Sequence, residues 1–308
     1  MELKKVAIIG AGAVGCYMLW GLSQKDGIDF SVVASGERKK RIENNGFNIN
    51  DKLYKPVVKT PAEAHGADLV IVAVKYNALR SAVADIKEIV DEHTIVMSLM
   101  NGVDSEDIIA SEIGDEHIVP ALIKVASERK GNSVRFDPET TIGIIYGERN
   151  GQSSDRTSAI GNLFDGTGLH YRETSVILSE IWSKFRLNVG NNLPQAMLSV
   201  GVGAYSDSEH VAAIREGLVK ELDAIAKAKG IDMSLADASS TRGSKVFKRA
   251  RYSTLQDLDA KRHTEVDMFS GAIIKMGKEL TIPTPYNEFA FHMLKALEEK
   301  NDGLFDYE

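Results

Sequence analysis

Residues 4–16 read Lys4-Lys5-Val6-Ala7-Ile8-Ile9-Gly10-Ala11-Gly12-Ala13-Val14-Gly15-Cys16, and a helical pattern through Met18, Leu19 and Leu22 follows. A short apolar strand thus runs directly into Gly10-x-Gly12-x-x-Gly15, the context that a dinucleotide-binding loop requires. Gly10 permits the tight turn, Gly12 lets the backbone approach a pyrophosphate, and Gly15 lets the new helix pack closely on the strand. The backbone from Gly10 through Ala11, Gly12, Ala13 and Val14 to Gly15 would then offer free N–H groups to phosphates at the positive end of a helix dipole. A second apolar strand over 30–34 completes the βαβ unit. The alternative is a tight strand-to-helix turn that binds nothing. A secretory signal is not expected, because glycines interrupt the apolar run and Asp26 and Asp29 follow soon after.

Working outward, residues 1–174 alternate strand-like and helix-like segments, the signature of a parallel sheet with crossover helices. Strands are expected over 6–9, 30–34, 69–74 and 95–99, and helices over 12–24, 37–45, 78–90 and 105–112. Further strands over 118–125, 133–137, 141–145 and 169–172 are expected to extend the same sheet. From Thr174 onward helical periodicities dominate, over 176–200, 209–229, 236–249, 263–279 and 285–300. The expected fold is α/β: a Rossmann-type dinucleotide-binding domain over 1–174 and an all-helical substrate or dimerisation domain over 175–308. The long helices over 176–200 and 285–300 would suit a homodimer interface.

Composition removes several function classes. A chain of 308 residues with 43% hydrophobic and 26% charged residues is globular and large enough for two cores. A net charge of −7 argues against a general nucleic-acid binder, whose affinity rests on Lys and Arg neutralising phosphates. No apolar run approaches the roughly 20 residues of a membrane span. The single cysteine, Cys16, cannot form an internal disulfide, so a cytoplasmic setting is expected, and its place in the first helix suits packing better than nucleophilic chemistry. The histidines show no metal-ligand spacing, so no metal is expected.

In open α/β sheets the ligand lies at the carboxyl ends of the strands. Ser35-Gly36-Glu37-Arg38-Lys39-Lys40-Arg41 follows the second strand, where an acid would bind an NAD ribose or a basic group would accept the 2′-phosphate of NADP. The segment carries both signs. Glu37 suits the first turn of a helix, whereas Ser35 and Arg38 suit a phosphate, so NADP(H) is the expected cofactor; a solvated basic helix start is the alternative. Lys75 and Asn101-Gly102 follow the next two strands, where a cofactor must pass. Further on, Ile181-Trp182-Ser183-Lys184-Phe185-Arg186-Leu187-Asn188-Val189-Gly190-Asn191-Asn192 places Lys184, Asn188 and Asn192 at four-residue spacing on one helix face. That polar row borders an apolar stripe of Leu178, Ile181, Phe185, Val189 and Leu193, and a polar row in an interior or cleft needs a partner. A solvated polar edge is the ordinary alternative.

Taken together, Gly10 to Gly15, Val74-Lys75, Asn101-Gly102, Trp182-Ser183-Lys184-Phe185 with Asn188 and Asn192, and Ser253-Thr254-Leu255-Gln256-Asp257 leading to His263-Thr264-Glu265 resemble the ketopantoate reductase (2-dehydropantoate 2-reductase) family. Order and spacing agree over nearly the whole chain. The resemblance implies NADPH-dependent reduction of ketopantoate to pantoate, on the route to pantothenate and coenzyme A. It also implies Lys184 as proton donor, Asn188, Asn192 and Ser253 as substrate-holding residues, and Asn101 in contact with both substrate and cofactor. Glu265 would lie at the cofactor and reacting centre, with Lys75 and the backbone near Ser127 also at the cofactor. The chain departs from the family pattern at Ser35, where an Arg is frequent, and at Ala250, three residues before Ser253, where a member has Asn. Tyr252-Ser253-Thr254 stands for Ser-Ser-Met, and the proline that commonly follows the second Asn directly is displaced to Pro194.

These residue types suit the implied chemistry. Hydride addition to a ketone leaves negative charge on oxygen, which a positioned ammonium both stabilises and protonates. Neutral amides and a hydroxyl can orient a carboxylate and a hydroxyl without competing for that proton. Two other readings stay open: a reductase of another branched or hydroxylated 2-oxo acid, and a nucleotide-sensing regulator that kept the fold and lost catalysis.

Overall fold

A computed structural model describes residues 1–237 and 248–305. Most of the helix expected over 236–249 therefore lies outside the described residues. The chain divides into two compact units, Met1–Met100 with Asp104–Leu178, and Asn101–Val103 with Ser179–Glu308.

The first unit runs β1 (Lys5–Ile9), α1 (Ala13–Leu22), β2 (Asp29–Val33), α2 (Gly36–Asn45), β3 (Phe47–Ile49), β4 (Lys52–Tyr54), β5 (Val57–Lys59), β6 (Leu69–Val72), α3 (Leu79–Ile89), β7 (Ile95–Ser98), α4 (Ser105–Ile113), β8 (Ala121–Lys124), β9 (Ser127–Lys130), β10 (Ser133–Phe136), β11 (Gly143–Tyr146), α5 (Asp155–Phe164) and β12 (Tyr171–Glu173). Five strands form an all-parallel sheet in the order β5-β2-β1-β6-β7. Connections leave β1 toward β2 on one side and reach β6 on the other, so the topological switch point falls at the carboxyl end of β1, where the glycines begin.

Side-chain alternation explains why both faces of this sheet are covered. Val6, Ile8, Val32, Leu69, Ile71, Ile95 and Met97 pack with Cys16, Tyr17, Met18, Leu19 and Leu22 of α1. Ala7, Ile9, Val33, Val70, Val72 and Val96 pack instead with Leu79, Ala82, Val83, Ile86 and Ile89 of α3. Each fully buried Ile or Leu contributes about 1.5–3 kcal/mol of transfer free energy.

The later strands do not extend this sheet, contrary to expectation. Ile118 makes one isolated parallel bridge to Val96, and Pro120 then supplies no N–H to continue the ladder. The chain turns away into a separate sheet of order β12-β11-β8, while β9 and β10 join the short β3 and β4 in a third sheet of order β4-β3-β10-β9. The third sheet covers α1 through Phe136, whose ring meets Tyr17 edge-on at 5.1 Å and Trp20 at 5.5 Å.

Among the described residues the regular structure of the second unit is helical: α6 (Ile177–Leu198), α7 (Ala204–Asp207), α8 (Glu209–Ala228), α9 (Ser253–Asp259), α10 (Ala272–Leu280) and α11 (Pro285–Asn301). Helices α6 and α8 pack antiparallel, since their contacts run in opposite sequence directions. Arg186 grips Asp223 with two bonds of 2.7 and 2.9 Å, a Cβ on Gly190 would stand 2.8 Å from Val219 Cγ2, and Arg215 reaches Asn191. The helix expected over 263–279 starts late. Residues 263–265 are not helical, and the chain enters α10 through a π-helical turn over Asp267–Gly271.

Candidate active site

In the first unit the glycine loop carries the geometry its sequence requires. Gly10 has φ +101°, and a Cβ there would fall 2.5 Å from the Ala73 carbonyl oxygen. A Cβ on Gly15 would fall 1.9 Å from the Gly10 carbonyl oxygen, so the helix could not approach the strand with any larger residue. Gly12 differs, because the nearest atom to its notional Cβ is 3.8 Å away. That open side is what a ligand's phosphates need. No side chain caps α1 and its first turn holds no acid, which leaves the leading N–H groups for an anion. Ala11 is buried, whereas Gly12, Ala13 and Val14 are half-buried. Cys16 is buried under the loop, and burial pushes its thiol up to about 12 against the pull of Arg129, as suits a packing residue.

Ser35 caps α2 by position, and its hydroxyl makes no capping bond. Glu37 sits in the first turn of α2 and pairs with Lys40 at 2.8 Å. Arg38 is exposed, and its pKa is lowered by partial burial and then by the like charges of Arg41 and Arg129. Three guanidinium groups therefore share one neighbourhood. Arg129 was not among the expected residues. It lies on β9, two residues from Ser127, and its Nη1 donates to the Ala11 carbonyl at 3.1 Å. Ser127 itself lines a hollow of the third sheet with Asn50, Asp51, Arg135 and Asp137. The residue of this strand that reaches the glycine loop is thus Arg129, and a separation of 118 positions from Ala11 left no local signal for it. Lys75 is exposed in the turn after β6.

In the second unit, Lys184 and Asn188 are half-buried on α6, and Asn192 is only 5% exposed. Among the described residues the Asn192 amide has no side-chain hydrogen-bond partner. Ser253 is the first residue of α9, one place past the capping position held by Tyr252, and it is exposed. Gln195, fully buried one turn beyond Asn192, fixes that start: its Nε2 donates to the Ala250 carbonyl at 3.0 Å and its Oε1 accepts from the Tyr252 N–H. Glu265 is half-buried just ahead of the π-helical turn, and its carbonyl accepts from the Phe269 N–H at 3.1 Å. The Phe269 ring stacks on Phe185, beside Lys184, with 6.2 Å between centroids. Buried Glu298 of α11 holds the segment from the other side, accepting from the Thr264 N–H at 2.7 Å and from its hydroxyl at 2.6 Å. Asn101 belongs to the short stretch Asn101–Val103 that groups with this unit although it follows β7.

Gln195 and Glu298 thus position Ser253 and Glu265 from outside the expected set. Gln195→Ala is expected to destabilise the chain by about 2–4 kcal/mol, since it strands the Tyr252 N–H and opens a cavity. Urea denaturation checks this, and a change below about 0.5 kcal/mol would mean that the clamp is not holding.

Two family models match the chain. Ketopantoate reductase PanE/ApbA matches residues 6–146, and Ketopantoate reductase PanE/ApbA C terminal matches residues 176–298. The chain belongs to the ketopantoate reductase family. A 2-dehydropantoate 2-reductase of Pyrococcus horikoshii is 28% identical over 97% of this chain and 99% of its own. The crystal structure of a PanE/ApbA family ketopantoate reductase from Ralstonia eutropha JMP134 is similar with a TM-score of 0.81 and 27% identity, over 96% of this chain and 99% of that one. D-mandelate dehydrogenase, solved with NADH and anilino(oxo)acetate, shares the fold at a TM-score of 0.81 and 22% identity, over 96% of this chain and 99% of its own. A family of oxidoreductases with a Rossmann-like first domain is therefore the setting for these side chains. Among the described residues no helix is long and apolar enough to cross a membrane, and no cluster of three or more His, Cys, Asp or Glu could hold a metal ion.

Proposed function

We propose that the protein reduces the ketone of a branched, hydroxylated 2-oxo acid, ketopantoate first, with NADPH as the hydride source and Lys184 as the proton donor. The observation that carries this reading is the row on α6, in which a half-buried ammonium precedes two amides, the second on a residue only 5% exposed. A dihydronicotinamide, when bound, would supply the hydride. Lys184 stabilises the charge that develops on the carbonyl oxygen and delivers a proton to it. Asn188, Asn192 and Ser253 orient the acid, and Glu265 either orients the ammonium or accepts a substrate hydroxyl. Gly10 to Gly15 and the uncapped start of α1 would hold the pyrophosphate, with Lys75 and Asn101 along the cofactor. Arg129 joins this set because it already grips the loop backbone at Ala11. Initial rates over a panel of 2-oxo acids, followed by loss of NADPH absorbance, test the proposal. Reduction of none of them would move the protein to the nucleotide-sensing reading.

The cofactor preference follows from the basic neighbourhood of α2. NADPH is expected to bind about tenfold or more tightly than NADH, because Ser35, Arg38, Arg41 and Arg129 can receive a 2′-phosphate while Glu37 is occupied by Lys40. Dissociation constants measured side by side decide this. A preference for NADH would mean that Glu37 leaves Lys40 for the ribose hydroxyls.

The homodimer reading gains support from α11, where Tyr286, Phe289 and Met293 are exposed in sequence on one side of the helix. Their i, i+3, i+7 spacing makes a continuous apolar stripe.

A further inference from the structure

The polar row of α6 continues beyond the residues assigned so far. At about 100° per residue, Lys184, Asn188, Asn191 and Gln195 fall within about 60° of arc, and Asn191 lies closer to the Lys184 line than Asn192 does. Asn191 opens on a pocket of about 400 Å³ lined also by Val202, Tyr205, Ser206, Arg215 and Lys248. All of these belong to the second unit.

The polar groups of that pocket are mostly committed to each other, with one exception. Lys248 is neutralised by Asp207 at 2.8 Å, Ser206 donates to the Gly203 carbonyl, and Tyr205 donates to the Asn191 carbonyl. Arg215 is half-buried and uses its Nε to reach the Asn191 amide oxygen at 3.1 Å. Among the described residues no carboxylate pairs with Arg215, and its two terminal nitrogens have no partner. That leaves the flat, two-pronged edge of the guanidinium facing the needs of a planar oxyanion. Its charge also reaches Tyr252, next to Ser253: burial raises the Tyr252 hydroxyl pKa and Arg215 draws it back down.

Distance along the helix sets what kind of acid could use it. Lys184 and Asn191 are seven residues apart, about 10.5 Å of axial rise. Arg215 stands at the far end of that rise, bonded to Asn191. The carboxylate next to a 2-oxo group lies one bond from the reacting carbon, whereas a second carboxylate two or three methylenes along reaches further toward the Asn191 end of the row.

We propose that this pocket receives the distal carboxylate of a 2-oxo dicarboxylic acid, and that Arg215 is the residue that recognises it. The inference extends the reductase reading above, on which its catalytic arm rests. 2-Oxoglutarate is then a substrate in addition to ketopantoate, and glutarate, which has no ketone, binds at the same place.

The test uses the full-length protein with NADPH. In Arg215→Met the ratio of kcat/KM for 2-oxoglutarate to that for ketopantoate falls about 100-fold, and in Arg215→Lys, which keeps charge and loses the fork, it falls about tenfold. Glutarate binding by calorimetry weakens about tenfold or more in Arg215→Met, a readout independent of turnover. An unchanged ratio overturns the proposal, and so does a wild-type protein that reduces ketopantoate but neither reduces 2-oxoglutarate nor binds glutarate. Arg215-dependent glutarate binding without reduction of any 2-oxo acid supports the pocket and sinks the reductase reading instead. Should Arg215→Met unfold, Arg215→Lys and the wild-type binding arm decide alone.

Discussion

Ketopantoate is expected to be reduced with a kcat/KM on the order of 10⁴-fold above that of 2-oxoisovalerate, its analogue without the hydroxymethyl group. A site built to hydrogen-bond a hydroxyl rejects the analogue that lacks it, because its buried donors are then left unmatched. Asn192 is the amide that makes this concrete, being 5% exposed on the α6 row. Where the chain departs from the family, the wall of the same region changes. Ala250 contributes only its carbonyl, which accepts from Gln195 at 3.0 Å and from the Val202 N–H at 3.1 Å, and Pro194 leaves the Gly190 carbonyl without its helical donor. Initial rates for the two acids at saturating NADPH measure the ratio. Comparable efficiencies would reassign the site to a different 2-oxo acid.

Lys184→Ala is expected to lower kcat by roughly 10²–10⁴-fold and to leave NADPH affinity nearly unchanged. A proton donor acts in the transition state, whereas the glycine loop belongs to the other compact unit. Lys184→Arg separates the two roles of the ammonium. It keeps a positive charge near the carbonyl oxygen but does not release a proton in the working pH range, so it also stays far below wild type if donation matters. Thermal melts of both variants confirm folding before rates are compared. Full activity in Lys184→Ala would remove the mechanism.

Several elements were legible because their signals are local. The glycine spacing of 10, 12 and 15 follows from contacts within a few residues of the turn and from one neighbouring strand, and the structure shows the steric reasons at Gly10 and Gly15. The helices α3, α4, α8 and α11 fall within two residues of expectation, since each has a regular apolar stripe and a recognisable start or stop. Short strands such as Phe47–Ile49 and Lys52–Tyr54 went unseen. Three residues carry too little period to register, and such strands exist only because a partner completes their ladder.

By itself the sequence determined the parallel α/β unit, the glycine loop at its switch point, the helical second unit and the polar row on α6. These depend on side-chain period and on glycine sterics, both written into neighbouring residues. Tertiary structure alone decided which sheet each later strand joined, that Arg129 grips the glycine loop, that Gln195 and Glu298 hold the Ser253 and Glu265 segments, and that Arg215 meets Asn191. Those pairings join residues 24 to 118 positions apart, and a hydrogen bond across such a distance is selected by the packing of whole helices and sheets, which no local pattern encodes.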